Sequence, residues 1–169
     1  CKPVNEGGGG ADCGDGEPDM ADWDTSLVTD MSELFQNQLQ FNQDISRWDV
    51  SRVTDMRNMF YSASAFDQDL STWNLGSVTD MSYMFYFAGS FTGGDLSAWN
   101  VSKVTDMSWM YTFATKFNPS GIGNWNVGSV TNMAGMFYRA SIFNADVGTW
   151  NVGSVASMSI MFKGAVSFN

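Results

Sequence analysis

A repeat of 25 or 26 residues organises nearly the whole chain, and a period of this length decides the architecture before any local pattern. Tryptophan recurs once in each unit, at Trp23, Trp48, Trp73, Trp99, Trp125 and Trp150. A valine column, two methionine-rich columns and a phenylalanine column keep the same steps. Each unit has one apolar side that it cannot bury alone, so the units must stack on one another to form a core.

Within one unit the apolar pattern changes its period. Trp48 and Val50 alternate with Asp49, which indicates a short strand with one buried face. The i, i+3, i+4, i+7 spacing of one helix face then appears at Met56, Met59, Phe60 and Ala63. Thr54 and Asp55 stand where a helix N-cap belongs. The sequence therefore predicts an α/β solenoid of six strand-plus-short-helix units.

The run W[DN]VxxVTDMxxMFxxAxxF, legible from Asp19 to Asn169, resembles the bacterial surface protein 26-residue repeat. This is a BspA-like family related to leucine-rich repeats. The resemblance implies a leucine-rich-repeat-like fold, a secreted or cell-surface location and a structural or adhesive role without a catalytic site. Gly121 departs from an aspartate column and Ala156-Ser157 from the Thr-Asp pair, which weakens two caps and leaves the expected fold unchanged.

Charge and the lack of histidine exclude several classes of function. Eight Lys and Arg against eighteen Asp and Glu leave a net charge of −10, which disfavours nucleic acid and anionic membrane surfaces as partners. Without histidine there are no His-based triads or His-ligated metals. No apolar run reaches the ~20 residues of a membrane span. We therefore predict a non-enzymatic protein without a cofactor, without bound nucleic acid and without membrane insertion.

The beginning of the chain has a different composition from the repeats. Residues 1–17 are rich in glycine and poor in apolar side chains, which predicts an arm beside the six-repeat solenoid of residues 18–169. Cys1 and Cys13 are the only cysteines, and this even count predicts a disulfide, within one chain or between two. A lipid-bearing Cys1 is the alternative.

The two ends of the array match each other. The chain stops at Phe168-Asn169, where earlier units continue with a segment equivalent to Pro18-Asp19-Met20. Terminal solenoid units normally carry a polar cap, and neither end shows one. We expect the end of one chain to stack on the start of the next, which gives an open filament or a surface layer. The residues expected at this contact are Pro18, Asp19, Met20, Trp23, Met158, Met161, Phe162, Phe168 and Asn169.

Two positions of the predicted helix face solvent, and in the third and fourth units both are aromatic. They predict an exposed patch of Tyr83, Phe87, Trp109 and Phe113. Lateral packing of subunits is the first interpretation, because aromatic side chains dominate interface cores. Docking of the N-terminal arm, a platform for a glycan, and aromatics that simply fold over their own helix are the alternatives.

Columns of short polar side chains raise the question of a metal site. Oxygen ligands for calcium are available in the column Asp24, Asp49, Asn74, Asn100, Asn126 and Asn151. Four of these six are neutral, and a second column from Asp19 to Asp146 is more simply a series of turn or cap residues, so no metal site is predicted. Asn100 also begins an N-glycosylation sequon, Asn-Val-Ser.

These observations together predict a non-enzymatic extracellular structural protein whose main partner is itself. The alternative is a cell-surface adhesive or ligand-binding repeat module for a host or cell-surface protein or glycan. In that case the chain is a monomeric module or a piece of a longer array.

Overall fold

A computed structural model describes residues 19–169 as a stack of six coils, each formed by one sequence repeat. The coils are coil 1 (19–42), coil 2 (43–67), coil 3 (68–93), coil 4 (94–119), coil 5 (120–144) and coil 6 (145–169). Successive coils are joined by parallel bridges between equivalent positions, such as Asp55 with Asp80 and Asp80 with Asp106. The repeat period therefore sets the register of the stack.

The predicted α/β solenoid of strand-plus-helix units is wrong. Within residues 19–169 the helical segments are two 3₁₀ turns, Met20–Asp22 and Ile122–Asn124, and β pairing is limited to six isolated bridges. No continuous sheet forms in this part of the chain. The segment expected to be a helix, from Met56 to Ala63, is a series of tight turns.

Backbone hydrogen bonding explains why turns replace the helix. At every second residue from Met56 to Ser62 the N–H donates to a carbonyl of coil 3, at N···O distances of 2.7–3.0 Å. The intervening N–H groups of Met59, Tyr61 and Ala63 donate to the carbonyl three residues earlier in their own coil. All seven donors are satisfied, and four of them join neighbouring coils. An α-helix would keep every such bond inside one unit, and a helix this short is marginal by itself.

This alternation requires two left-handed residues in each coil. In coil 2 they are Asn58, with φ of 56°, and Ser62, with φ of 57°. The same two positions have positive φ in the other five coils. A left-handed backbone costs an L-residue about 1–2 kcal/mol and suits glycine and asparagine. Gly135 and Gly164 occupy such positions in coils 5 and 6.

The core consists of the repeat columns, stacked ring on ring. Two phenylalanine ladders run along the stack, with ring centroids 5.2 Å apart for Phe60–Phe85 and 5.8 Å apart for Phe66–Phe91. Within a coil the ladders touch, because the Phe60 and Phe66 centroids are 4.0 Å apart. The buried Trp73 indole donates to the carbonyl of Ile45 in the preceding coil at 3.2 Å. The same bond recurs at Trp48, Trp99, Trp125 and Trp150.

Aspartate and asparagine side chains hold the corners of the coils. The Asp49 carboxylate accepts the N–H of Ser51 at 2.9 Å, and the Asp55 carboxylate accepts that of Arg57 at 3.0 Å. Asp55 therefore fixes a turn and caps no helix, which corrects the predicted N-cap. Hydrogen bonds from the side chain and backbone of Ser51 hold the pKa of Asp49 below its usual value.

Candidate functional site

One flank of the stack carries a continuous set of aromatic rings, here called the aromatic face. Its members are Tyr61, Tyr83, Tyr86, Phe87, Trp109, Phe113 and Tyr138. The rings are half-buried, except that Phe87 keeps 43% of its surface exposed. The set spans four coils and so forms a surface rather than a point site.

The structure brings together the four aromatic residues that the sequence singled out. Tyr83 stacks on Trp109 with ring centroids 6.2 Å apart, and Phe87 stacks on Phe113 at 4.4 Å. All four occupy left-handed positions, with φ of 57° or 58°. Large aromatic side chains are unfavourable at such positions, and strain of this kind clusters at functional surfaces.

Sequence reasoning missed the tyrosine column that completes this face. The Tyr61 and Tyr86 rings stack at 4.8 Å, and Tyr138 meets Phe113 edge to face at 5.6 Å. Burial raises the pKa of Tyr83 and of Tyr86 above the usual tyrosine value. The available signal was tyrosine at the same repeat position in three of the six units.

Glycines make room for the side chains that lean across from the preceding coil. A Cβ on Gly135 would lie 2.5–2.8 Å from three atoms of the Trp109 indole, so the indole packs directly over this glycine. In the neighbouring column a Cβ on Gly164 would lie 2.8 Å from the Cγ of Arg139. Gly135 therefore ends the column of Tyr83 and Trp109, and the lack of a Cβ at Gly135 and Gly164 leaves space for Trp109 and Arg139.

A groove of about 580 Å³ opens beside the last rings of the aromatic face. Its lining consists of Phe113, Thr115, Tyr138, Arg139, Ser141, Lys163, Gly164 and Val166. The Arg139 guanidinium carbon lies 5.5 Å from the Phe113 ring centroid and 5.7 Å from that of Tyr138, which are cation–π distances. The groove thus combines apolar rings, hydroxyl groups and two cations.

The two ends of the stack expose apolar side chains. Seven of the nine large apolar residues that are exposed among residues 19–169 lie in the first or last coil, the exceptions being Phe87 and Ile142. The seven are Leu27, Leu34, Leu39, Val152, Met158, Ile160 and Val166. Val166 is 83% exposed and Leu27 is 77% exposed. Each end is therefore an apolar surface.

Backbone groups at the ends lack the partners that equivalent groups have inside the stack. In coils 1 to 5 the N–H groups equivalent to those of Met158, Ile160, Phe162 and Gly164 donate to the next coil, whereas within residues 19–169 these four have no partner. In coils 2 to 6 the carbonyls equivalent to those of Asp30, Ser32, Leu34 and Gln36 accept from the preceding coil, whereas these four accept no hydrogen bond from residues 19–169. Coil 6 thus presents donors where coil 1 presents acceptors.

The residues predicted at the head-to-tail contact occupy these two ends. Met20 and Met161 are buried in the first and last coils, whereas Met158 is 43% exposed. Trp23, Phe162 and Phe168 are half-buried, and Asp19 and Asn169 are exposed. Pro18, the arm of residues 1–17 and the predicted disulfide of Cys1 and Cys13 lie outside the described residues.

The remaining candidates from the sequence are the glycosylation sequon at Asn100, a metal site and a membrane-spanning segment. Asn100 is exposed, and its side-chain oxygen accepts the N–H of Ser102 at 3.2 Å, so the sequon forms a turn at the surface. Across residues 19–169 no three acidic or cysteine side chains are grouped to hold a metal ion. The same residues contain no helix with the length and apolar character needed to cross a membrane.

Comparison with known proteins identifies one family. A family model described as "Mycoplasma protein of unknown function, DUF285" matches residues 11–118 and, in a second match, residues 89–169. The two matches overlap, as expected for a sequence made of similar repeats. No curated protein and no solved structure matches the chain.

Proposed function

The chain belongs to the DUF285 family, and from this premise we propose that it is a non-enzymatic extracellular structural protein of the BspA-like repeat kind. Its coil stack extends by head-to-tail association, in which coil 6 of one copy packs on coil 1 of the next. The product is a filament or a surface layer. The chain's main partner is then a second copy of itself.

The complementary hydrogen-bonding groups of the two ends carry this proposal. Between coils 5 and 6 the N–H of Gly135 donates to Ser159 and that of Arg139 donates to Lys163, both at 2.9 Å. Continuing this register across the ends would pair the four open donors of coil 6 with the four open acceptors of coil 1. The pairs are Met158 with Asp30, Ile160 with Ser32, Phe162 with Leu34, and Gly164 with Gln36.

A bond in the opposite direction fits the same register. Inside the stack the N–H of Thr131 donates to the carbonyl of Thr105 at 2.8 Å, and that of Ala156 donates to Thr131 at 2.7 Å. Within residues 19–169 the N–H of Thr29 and the carbonyl of Ala156 have no partner. They are the two groups that would meet if the pattern continued from coil 6 to coil 1.

The tryptophan column supports the same contact. The indole of Trp150 donates to the carbonyl of Ile122 in the preceding coil at 2.8 Å. The Trp23 indole has no such partner among residues 19–169. In the stacked arrangement it meets the carbonyl of Val147, which stands where Ile122 stands one coil earlier.

Side-chain packing at the ends is complementary in one column and opposed in another. Leu39 and Val166 share a column that is polar or glycine in the four inner coils, and stacking would bring these two exposed apolar side chains together. Gln38 stands in a column of alanines that are buried in coils 2 to 6. Its longer side chain must turn outward for the ends to meet, so Gln38→Ala is expected to strengthen association, measured by sedimentation velocity.

The experiment is electron microscopy and sedimentation of the chain beside two charge variants. Ile160 at the end and Phe87 on the flank both have positive φ and are 44% and 43% exposed. Ile160→Asp places a charge in the proposed contact, and Phe87→Asp places the same charge on the aromatic face. We expect filaments with an axial repeat of roughly 29 Å, from six coils at the usual ~4.8 Å spacing.

The expected result is that Ile160→Asp abolishes the filaments and Phe87→Asp leaves them intact. Thermal unfolding of both variants shows whether each remains folded. A wild-type chain that stays monomeric at all concentrations would contradict the proposal, as would equal loss of assembly in both variants.

A second candidate function is a surface-exposed adhesive or ligand-binding module. The aromatic face favours it, because four of its rings occupy backbone positions that disfavour them. In this case the partner is a host or cell-surface protein or glycan, and Phe87→Asp weakens its capture while Ile160→Asp does not. The extracellular location common to both candidates is tested by protease digestion of the chain on intact producing cells.

A further inference from the structure

We propose that the groove beside Arg139 binds a saccharide that carries a carboxylate on its ring, such as a hexuronic acid. This site lies on the flank of coils 4 to 6, and its lining includes Gly164 and Val166, which the proposed head-to-tail contact also uses. It is built from Phe113, Tyr138, Arg139, Ser141 and Lys163, together with Thr115 at its edge.

Charge complementarity is the first argument. The protein carries a net charge of −10, yet no acidic residue lines this groove. Two of the protein's eight basic residues, Arg139 and Lys163, line it. The salt bridges within residues 19–169 are those of Arg47 and Arg57, so neither Arg139 nor Lys163 is neutralised by a carboxylate in this part of the chain. An anion supplied by a ligand would pair with both.

The position of Arg139 restricts where the ligand carries its charge. Arg139 follows Phe113 in the same repeat column, and its guanidinium lies at cation–π distance from the Phe113 and Tyr138 rings. A guanidinium placed there can pair with a carboxylate through two parallel hydrogen bonds. A sugar ring packed beside Tyr138 would bring a carboxylate attached directly to that ring toward this cation. Hexuronic acids have this arrangement, and their C–H faces are apolar.

Hydroxyl groups at the groove suit the other side of such a ligand. The Ser141 hydroxyl donates to the carbonyl of Thr115 at 3.2 Å, and the Thr115 hydroxyl donates to that of Gly89 at 3.4 Å. Both oxygens keep acceptor capacity for the hydroxyl protons of a sugar. The volume of about 580 Å³ falls in the range of small-molecule sites.

The backbone argues against an acidic peptide as the occupant. Peptides docked on such stacks gain affinity by pairing their main chain with open N–H and C=O groups. At this groove the N–H of Arg139 already donates to Lys163 at 2.9 Å, and that of Ser167 donates to Ser141 at 3.2 Å. The N–H of Gly164 also lines the groove and is open, but it belongs to the proposed head-to-tail contact, so recognition at the groove depends mainly on side chains.

The test is a titration of the full chain with methyl β-D-glucuronide, followed by NMR. The matched ligand is its methyl ester, which has the same ring without the charge. We expect the ester to bind at least about tenfold more weakly than the glucuronide, because a charge-assisted hydrogen bond is lost. Added salt should weaken the glucuronide and leave the ester unchanged.

Variants locate the site. Arg139→Gln is expected to weaken glucuronide binding about tenfold or more, and Lys163→Gln to weaken it less. Arg52→Gln removes one exposed positive charge in coil 2, away from the groove, and should leave binding unchanged. Light scattering of the same samples reports assembly separately, so failure of head-to-tail stacking and failure of sugar binding are distinguished.

Several outcomes would overturn the proposal. They are absence of glucuronide binding, equal binding of acid and ester, and unchanged binding in Arg139→Gln. Tighter binding of an N-acetyl-Glu-Phe-amide peptide than of the glucuronide would also overturn it, since the carboxylate would then belong to another ligand class.

Discussion

Replacing Tyr111 with phenylalanine is expected to stabilise the coil stack. Tyr111 belongs to the ladder that contains Phe60 and Phe85, in which each of the other five coils has phenylalanine at the same position. Its side chain is fully buried, and its hydroxyl has no hydrogen-bond partner among residues 19–169. The ring itself packs well, with centroids 5.5 Å from Phe85, 5.8 Å from Phe137 and 3.7 Å from Phe117.

The magnitude follows from the hydroxyl alone, because the ring contacts remain. A buried polar group without a partner costs about 1–3 kcal/mol. Removing the oxygen leaves a void of about 15 Å³, which costs about 0.4 kcal/mol at about 24 cal/mol per Å³. Tyr111→Phe should therefore raise the free energy of unfolding by about 1–2 kcal/mol. For a chain of this size the melting temperature rises by roughly 2–8 °C.

Urea unfolding, followed by tryptophan fluorescence and circular dichroism, measures the change. The midpoint should move up while the slope of free energy against urea stays the same, because the exposed area on unfolding is unchanged. Tyr61→Phe is the matched control. Its half-buried hydroxyl lies on the aromatic face, so stability should change by less than about 0.5 kcal/mol.

Alkaline pH gives a second measurement of the same hydroxyl. Burial raises the pKa of Tyr111 well above its usual value, so the folded chain keeps this proton where the unfolded chain releases it. Stability is therefore lost as pH rises above the usual tyrosine pKa, and the advantage of Tyr111→Phe should grow there. A variant destabilised by about 1 kcal/mol or more would refute the reasoning, because the hydroxyl would then have a partner.

Two further predictions concern the turns. Gly135→Ala should destabilise the chain by about 2–4 kcal/mol in urea unfolding, because alanine is strained at a φ of 63° and its Cβ displaces the Trp109 indole. Gly94→Ala is the control: its φ is 60° and its surroundings are open, so it should cost about 1 kcal/mol. Equal losses in the two variants would contradict the indole contact. Because the pKa of Asp49 is lowered in the folded chain, its carboxylate stabilises the fold above the usual carboxyl pKa, and this stabilisation is lost as the pH falls. Asp49→Asn keeps the turn, so the free energy of unfolding of this variant should fall less steeply at low pH. An unchanged dependence of stability on pH would contradict this prediction.

The sequence predicted the core better than the backbone. The spacing of Met56, Met59, Phe60 and Ala63 identifies four buried side chains correctly, and it was read as a helix because one helix face has the same spacing. Burial depends on which side chains point inward. It does not depend on whether the N–H groups bond within the unit or to the next one. Glycine and asparagine at Gly135, Gly164 and Asn58 were the signal for left-handed turns.

The candidate surfaces divide in the same way. The sequence placed Tyr83, Phe87, Trp109 and Phe113 on one side, because equivalent positions of neighbouring units must align in a stack. The same alignment places Arg139 in the Phe113 column, but it did not predict the contact of Arg139 with the Phe113 ring or the groove that Arg139 forms with Lys163. That arrangement depends on the direction in which side chains point from backbone positions with positive φ.

By itself the sequence determined the repeat, its register and the identity of the core columns. These follow from apolar periodicity, because residues that recur at one interval must share one environment in a stack. Tertiary structure alone decided the backbone path and the groove. The segment from Met56 to Ala63 is too short for a stable helix, and every second N–H group in it donates to the neighbouring coil. The conformation of a unit is therefore fixed by stacking rather than by its own sequence.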